Sequence, residues 1–163
     1  MNETDSASRC AEILTHCLYA NIATCQDDRP WNTPVTAIPD TELNFYWSSW
    51  INAVHSENII ANPNVFLTFY DSTRERGTNN RRCLYLSCKA TVVSEEAEAE
   101  KAHGLIYSGQ VMDLEAFLGS GIKRFYRATP TQAWLNILAE SELEPSTVKM
   151  REEISVEGIR IAL

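Results

Sequence analysis

The stretch that decides the fold runs from Asn44 to Asp71, NFYWSSWINAVHSENIIANPNVFLTFYD, in a chain of 163 residues. Its aromatic beginning predicts a strand over Leu43 to Ser48. A helix is expected over Asn52 to Ala61, and Asn62-Pro63 ends it because the residue before a proline avoids helical geometry. Val65 to Tyr70 is rich in aromatic and branched side chains, which favour a further strand.

The residues before this stretch predict one helix and two more strands. The helix is expected over Ser6 to Cys17, where apolar side chains recur at helical spacing. Strands are expected over Leu18 to Cys25 and over Trp31 to Ile38, each followed by a polar turn. With the strand that begins at Leu43, they would form an antiparallel meander joined by short turns.

The residues after this stretch predict more strands and two helices. The expected elements are strands over 83–93 and 124–137, helices over 94–106 and 113–118, loops over 71–82 and 139–146, and a last strand over Thr147 to Leu163. Antiparallel hairpins dominate and no β-α-β series recurs. We therefore predict a mainly β (α+β) fold, a small barrel with helices packed at its ends. The length fits a single domain over residues 1–163.

Composition excludes several function classes. The net charge is −8, from 14 basic and 22 acidic residues, which argues against binding nucleic acid through a basic face. No apolar run approaches the roughly 18 residues that span a bilayer, and the polar start Met1 to Arg9 leads us to expect no signal peptide. The five cysteines contain no C-x-x-C pair, so neither a disulfide framework nor a zinc site is expected. A reducing cytoplasm is the expected location.

The junction between the strand ending at Ser48 and the following helix is the best candidate site. Backbone N–H groups at a helix start attract anions. Ser48, Ser49 and Ser56 add hydroxyl groups and His55 adds an imidazole, which together suit a clamped phosphate. The residues alone leave an alternative open, in which the nearby tryptophans pack in a core or interface and the serines cap the helix. No nucleophile elbow, phosphate loop or dinucleotide fingerprint is present, and the three histidines are too scattered for metal spacing.

Taken together, these segments resemble the pyridoxamine 5'-phosphate oxidase-like, FMN-binding split-barrel family. The order and spacing of ANIATCQDDRPWNTPVTAIPDTELNFYW, WSSWINAVHSENIIANPNVFLTFYD and CLYLSCKATVV match along roughly Tyr19 to Val93. The later FYRATPTQAWLN is similar to the family's closing strand. The helix-ending Asn62-Pro63 that leads into a strand is the sharpest part of the resemblance.

The resemblance implies a six-stranded antiparallel split β-barrel that forms a homodimer with two FMN sites at the subunit interface. The second strand would lie along the flavin ring, at positions Trp31, Asn32, Thr33, Pro34 and Val35. The ribityl phosphate would be held by Tyr46, Trp47, Ser48, Ser49, Ala53, His55 and Ser56. Arg82, Cys83 and Leu84 of the partner subunit would reach the ring.

The chain departs from the family pattern in its charges. The family's oxidases carry a Ser-Arg-Lys triplet at the helix start, which falls here on Ala53, Val54 and His55, and a second-strand lysine, which falls near Thr36. Two expected cations are therefore absent, and His55 is the natural substitute. The loop arginines are candidates to help: Arg74, Arg76, Arg81 and Arg82. The alternative is a solvated loop, which is the expected place of Arg74 and Arg76. The C-terminal Trp/Arg substrate signature is not evident, so oxidation of pyridoxamine phosphate is not expected.

These observations predict an FMN-dependent oxidoreductase that acts on a small molecule or takes electrons from NAD(P)H, with no role for nucleic acid or membrane. Asn32 or Thr33 would donate a hydrogen bond near flavin N5, and no catalytic acid or base can be singled out. The alternatives are a noncatalytic flavin-binding module, a barrel that binds deazaflavin or haem, and a dimer with an empty groove. A haem ligand would have to be an exposed histidine at a rim, and His103 is expected at the surface of its acidic helix.

Overall fold

The structure, a computed structural model, describes residues 3–73, Glu75, 82–136 and 151–163. Within these residues the helices are Glu3–His16 (α1), Val54–Ala61 (α2), Glu96–Ile106 (α3), Leu114–Phe117 (α4) and Val156–Ala162 (α5). The strands are Ala20–Gln26 (β1), Arg29–Val35 (β2), Ile38–Pro39 (β3), Phe45–Trp50 (β4), Asn64–Tyr70 (β5), Cys83–Val92 (β6), Lys123–Asn136 (β7) and Arg151–Ile154 (β8). Most of the expected loop 71–82 and all of the loop 139–146 lie outside the described residues.

The strands form one antiparallel sheet in the order β2-β1-β5-β6-β7-β4-β3, with β8 beside β7. The two ends of this order, β2 and β3, follow each other in the chain and are separated only by Thr36 and Ala37. The sheet therefore curls until its ends meet at this break, which confirms the predicted split barrel. The second predicted strand is divided there, because β2 pairs with β1 while β3 pairs with β4.

The core fills the barrel and continues under the helices at its ends. The apolar residues that alternate with polar ones along β6 are buried: Leu84, Leu86, Cys88 and Ala90. Ile13 and Leu14 of α1 and Ile159 of α5 join the same core from the end where β1 begins. At the other end, α2 packs against β1 and β2. His55, Ser56, Asn58 and Ile59 of α2 are buried there, whereas Val54 is 43% exposed.

A second apolar cluster lies outside the barrel wall, where α3 and α4 cover β4 and β7. His103 is buried in this cluster, with 7% of its surface exposed, so the expectation that it lies at the surface is wrong. It follows buried Ala99 by four residues and thus shares its face of α3. Its ring contacts the rings of Tyr107, Phe117 and Phe125.

The predicted last strand over Thr147 to Leu163 is wrong in its second half. Of this segment the structure describes β8 and then α5. The Ser155 hydroxyl accepts a hydrogen bond from the Gly158 N–H at 3.1 Å, and this cap starts the helix. Glu157 pairs with Arg160 on its exposed side, while Ile159 is fully buried. Capping and one buried contact thus outweigh the strand propensity of the isoleucines.

The described cysteines and helices match what the composition led us to expect for disulfides and membrane spans. All five cysteines lie in the described part of the chain as free thiols. Burial raises the pKa of the Cys10 and Cys88 thiols to about 12 in each case, so they behave as small apolar residues. Among the described residues, no helix is long and apolar enough to cross a membrane.

Candidate functional site

The two faces of β4 separate the residues predicted to hold the phosphate. Trp47 and Ser49 face the inside of the barrel, where Trp47 belongs to the central core. Tyr46 and Ser48 face α3: the Tyr46 hydroxyl donates to Glu98 at 3.1 Å, and the Ser48 hydroxyl is hydrogen-bonded to the Tyr107 hydroxyl at 2.6 Å. The structure therefore does not bring Tyr46 and Ser48 to the start of α2.

The inward residues of β4 meet polar groups of β7 and α2. In the β4–β7 pairing, Trp47 lies opposite Tyr126 and Ser49 lies opposite Arg124. The Trp47 and Tyr126 rings are stacked, with centroids 5.6 Å apart. Burial raises the pKa of Tyr126, and the Ser56 hydroxyl and the Arg124 charge act against that rise. The Ser56 hydroxyl therefore lies beside the Tyr126 hydroxyl, and the Arg124 charge lies within electrostatic reach of it, two residues along the same face of β7.

We call Trp47, His55, Ser56, Arg124 and Tyr126 the junction cluster. Trp47 Nε1 and His55 Nε2 are buried with no hydrogen-bond partner among the described residues. The Ser56 hydroxyl interacts with Tyr126 but makes no hydrogen bond of regular geometry. An unpaired buried polar group costs about 1–3 kcal/mol, so such groups point to a water or ligand.

The start of α2 adds further donors. Its N-cap residue is Ala53, and no side chain caps the first turn. The N–H groups of Ser56 and Glu57 donate to the Ala53 carbonyl oxygen at 2.8 and 3.1 Å. The two N–H groups before them, those of Val54 and His55, have no partner within the helix and are open to an acceptor such as a phosphate oxygen. Burial lowers the pKa of His55, which makes its imidazole neutral at pH 7. The positive charge must therefore come from elsewhere.

β7 supplies cations that the sequence analysis did not assign to the site. The Arg124 guanidinium donates hydrogen bonds to the carbonyl oxygens of Gly119, Gly121 and Lys123 at 2.6–2.7 Å. These uncharged acceptors fix the position of the guanidinium but do not neutralise its charge. Lys123 lies with its Nζ 5.4 Å from the centre of the Trp50 ring. Neither cation forms a salt bridge within the described part of the chain. The sequence signal was the basic pair after Gly119-Ser120-Gly121, but its position beside Ser49 depends on strand pairing.

The residues predicted along the flavin ring lie on both faces of β2. Asn32 and Pro34 lie on the outer face, opposite Ala23 and Asn21 of β1. Trp31, Thr33 and Val35 lie on the inner face, and Trp31 lines a cavity of about 340 Å³ against α2. β2 is an edge of the sheet, and this cavity reaches from Trp31 on that edge to Val54 at the start of α2.

Arg82 and Cys83 lie at the other end of the barrel. The Arg82 guanidinium pairs with Glu12 of α1 at 3.0 Å, and the Cys83 N–H donates to Asn136 at 2.7 Å. Within one chain they do not meet the junction cluster. Their proposed contact with the ring therefore requires a partner subunit. Arg74, Arg76 and Arg81 lie outside the described residues.

Near Arg82, His16 borders a cavity of about 410 Å³ that is also lined by Tyr19, Tyr70 and Pro34. The His16 Nδ1 is 2.8 Å from the Glu12 carbonyl oxygen, which only accepts, so Nδ1 carries the proton. The exposed imidazole therefore keeps its Nε2 lone pair for a ligand.

The outer face of the barrel is uncharged at its centre over four adjacent strands, while Lys89 of β6 and Arg151 of β8 lie at its border, the Arg151 guanidinium carbon 3.8 Å from the centre of the Tyr85 ring. By register, its central residues are Asn21, Ala23, Phe66, Thr68, Tyr85, Ser87, Gln132 and Trp134. The Phe66 ring lies 6.3 Å from the Tyr85 ring and 6.1 Å from the Trp134 ring. Such a surface is unusual in a chain with 22% charged residues and is typical of an interface.

Comparison with known proteins gives a family and a fold. Residues 7–136 match the pyridoxamine 5'-phosphate oxidase family. A haem-binding protein from Mycobacterium smegmatis has a TM-score of 0.68 at 13% identity, over 96% of this chain and 60% of that one. A NimC/NimA family protein from Clostridium acetobutylicum has a TM-score of 0.61 at 17% identity, over 94% of each chain. An FAD-binding protein from Mesorhizobium loti has a TM-score of 0.57 at 18% identity, over 78% of this chain and 91% of that one. These three likenesses concern the fold, and no curated protein matches the sequence.

The buried His55 makes a prediction about stability and pH. Its pKa in the folded chain lies below its usual value of 6.5, so the unfolded chain binds the proton more tightly. The free energy of unfolding should therefore fall as the pH drops below about 6.5. Urea unfolding of His55→Gln between pH 7.5 and about 5 should show a shallower fall. The exposed His16→Gln is the control and should follow the wild-type slope, whereas parallel curves for all three would show that His55 is not buried neutral.

Proposed function

Because the chain belongs to the pyridoxamine 5'-phosphate oxidase family, we propose that it is an FMN-binding oxidoreductase that holds the flavin phosphate at the junction cluster. The observation that carries this proposal is the pair of buried, unpaired nitrogens, Trp47 Nε1 and His55 Nε2, beside the uncapped start of α2. Bound FMN would supply the transfer of hydride or single electrons. The protein supplies position and charge.

The residues of the junction cluster suit a phosphate in three ways. Ser56 and the first N–H groups of α2 offer hydrogen bonds to its oxygens. Arg124 offers a full charge from a fixed position, and hydrogen bonds between charged groups are about twice as strong as neutral ones. Neutral His55 contributes one more donor, or takes up a proton when the anion arrives. Arg124 thus replaces the cations that the helix sequence lacks.

On the outer face of β2, Asn32 is the better of the two candidates to donate a hydrogen bond near flavin N5. It lies on the same face as Pro34 and opposite Ala23, where a ring has room, whereas Thr33 points inward. No acid or base is assigned to the reaction. Oxidation of NADH or NADPH by the FMN-loaded protein, followed at 340 nm, would distinguish an oxidoreductase from a passive flavin carrier.

We further propose that two copies pair through the centre of this outer face. A face that packs on its own copy must be self-complementary, and its uncharged central residues meet no like charge across a two-fold axis that passes between them. Lys89 and Arg151 at the border would lie at the rim of such an interface. This pairing would also bring Cys83 and Arg82 of the partner subunit near the outer face of β2. The ring would then lie between the two subunits.

The phosphate proposal predicts a difference between FMN and riboflavin, which lacks the phosphate. Wild-type protein should quench the fluorescence of FMN at lower concentrations than that of riboflavin. Arg124→Gln should weaken FMN binding about tenfold and leave riboflavin binding unchanged, because it removes one charged phosphate contact. Arg127→Gln is the control, since Arg127 pairs with Glu98 on the α3 side. Absence of FMN binding to the wild type at tens of micromolar would reject the flavin proposal. If Arg124→Gln lost the same affinity for FMN as for riboflavin, the role of Arg124 at the phosphate would be rejected.

The dimer proposal predicts the effect of placing charge on the outer face. Sedimentation equilibrium at micromolar concentration should give a dimer for the wild type. Ser87→Glu should give a monomer, because the two introduced carboxylates would be buried near each other. Ser120→Glu, on an exposed loop away from this face, should leave the dimer intact. A monomeric wild-type protein would contradict both the dimer and a flavin site between subunits.

Haem is the second candidate ligand, and the geometry of His16 favours it. The hydrogen bond to the Glu12 carbonyl orients the ring, as is typical of metal-binding histidines. Tyr19 and Tyr70 beside it are 62% and 49% exposed and offer flat surfaces. His55 and His103 are buried and do not meet the requirement for an exposed ligand.

The haem candidate predicts a change in the Soret band when haemin is added to the protein. His16→Ala should abolish this change, whereas His103→Gln should retain it. A band that survives in His16→Ala would exclude His16 as the iron ligand. His16→Ala should keep the preference for FMN over riboflavin, because no residue of the junction cluster lines the His16 cavity.

A further inference from the structure

A cavity of about 540 Å³ lies where α1, α3 and α5 meet the turn after β3. Most of its described lining is apolar, with Leu14 from α1, Ile38 and Pro39 from β3, and Leu105 from α3. None of its described lining residues belongs to the junction cluster or to the ring positions of β2. Its volume falls within the range of about 300–1,000 Å³ that small-molecule sites occupy.

The carboxylate in this cavity has no hydrogen-bonding capacity left for a ligand. The Asp40 side chain is 2% exposed. One oxygen accepts from the N–H groups of Glu42 and Asn44 at 2.9 and 2.7 Å. The other accepts from Lys101 Nζ at 2.6 Å and from the Asn44 amide at 3.2 Å. Burial alone would raise the pKa of Asp40, but the bonds from Lys101 and Asn44 lower it, so the group is ionised at neutral pH.

The cations in the cavity, by contrast, keep unused donors. Lys101 is 47% exposed, and one of its three N–H bonds is used by Asp40. Arg160 binds Glu157 through Nε and Nη2 at 2.7 and 2.5 Å, but its Nη1 is 3.7 Å from the Glu42 carboxylate, too far for a hydrogen bond. The negative charges of Glu42 and Glu157 weaken the attraction of Arg160 for an anion. Their side chains are 65% and 60% exposed, however, and they do not line the cavity.

We propose that this cavity binds an amphipathic monocarboxylate of medium chain length, independently of the flavin. The alkyl chain would lie against Leu14, Ile38 and Leu105, and the carboxylate would lie between Lys101 and Arg160. Removing the chain from water drives binding, and the unused N–H donors select the head group. Within the described lining an ammonium head group would meet two cations, Lys101 and Arg160, and the saturated Asp40 carboxylate, so the cavity disfavours it. Glu42 and Glu157 flank Arg160 outside the lining and reduce this preference without joining the site.

The test uses decanoate and decylammonium, which share a chain and differ in the charge of the head group. Calorimetric titration of the full chain should give a dissociation constant for decanoate on the order of 0.1–1 mM. Decylammonium should bind at least about tenfold more weakly. Equal binding of the two, or no heat from decanoate at about 5 mM, would overturn the proposal.

Two variants locate the binding. Leu105→Trp fills the cavity and should weaken decanoate binding more than about tenfold. The matched control is Ile161→Trp, because Ile161 is 74% exposed on α5 and does not line the cavity. Arg160→Gln should weaken decanoate binding about fivefold and reduce the difference in affinity between decanoate and decylammonium. Because no residue is shared with the junction cluster, FMN binding should not change in any of these variants. Decanoate binding that is unaffected by Leu105→Trp would place the ligand elsewhere and contradict the proposal.

Discussion

The pairing of β4 with β7 is the constraint on which the candidate site depends. It sets Trp47 against Tyr126 and Ser49 against Arg124, and it separates these residues from Tyr46 and Ser48 on the other face. A shift of one residue would exchange the two faces and move Arg124 away from α2. The pairing is fixed because both faces of β4 are buried: one in the barrel core and the other under α3. The chemistry of the junction thus follows from packing on both sides of one strand.

The polarity of the junction cluster bears on how a strongly acidic chain would bind the phosphate that we propose for it. The net charge of −8 opposes any anion at long range. Short-range donors overcome this when they are held in place before the ligand arrives, because no further ordering is then required. The three carbonyl oxygens that bind Arg124 provide this ordering. Glu115, the described acid whose pKa responds to the Arg124 charge, forms no salt bridge with it: hydrogen bonds from Ser120 lower the Glu115 pKa first, and the Arg124 charge adds to that effect. Arg124 therefore acts as a fixed charge, unlike a flexible surface lysine.

The sequence predicted most of the helices and strands but little of the pairing that builds the site. The Asn62-Pro63 stop and the alternation in β6 are local signals, and the structure confirms both. The contribution of Arg124 depends on a partner strand some 75 residues away in sequence, which no local pattern encodes. His103 was misjudged because the glutamates of α3 dominate its composition, while burial depends on which face meets β7. The helix α5 was missed because its cap, Ser155, precedes residues of high strand propensity.

The unpaired atoms of the junction cluster connect stability with function. Trp47 Nε1 lies in the barrel core, and His55 Nε2 is buried on α2, which packs against the barrel. Apolar residues of similar shape would remove the cost of about 1–3 kcal/mol for each unpaired group. A bound phosphate removes it in another way, by supplying acceptors, and adds stability that grows with ligand concentration. The unpaired nitrogens therefore lower the stability of the barrel without a ligand. A phosphate bound at the junction cluster would offset this cost by hydrogen-bonding to them.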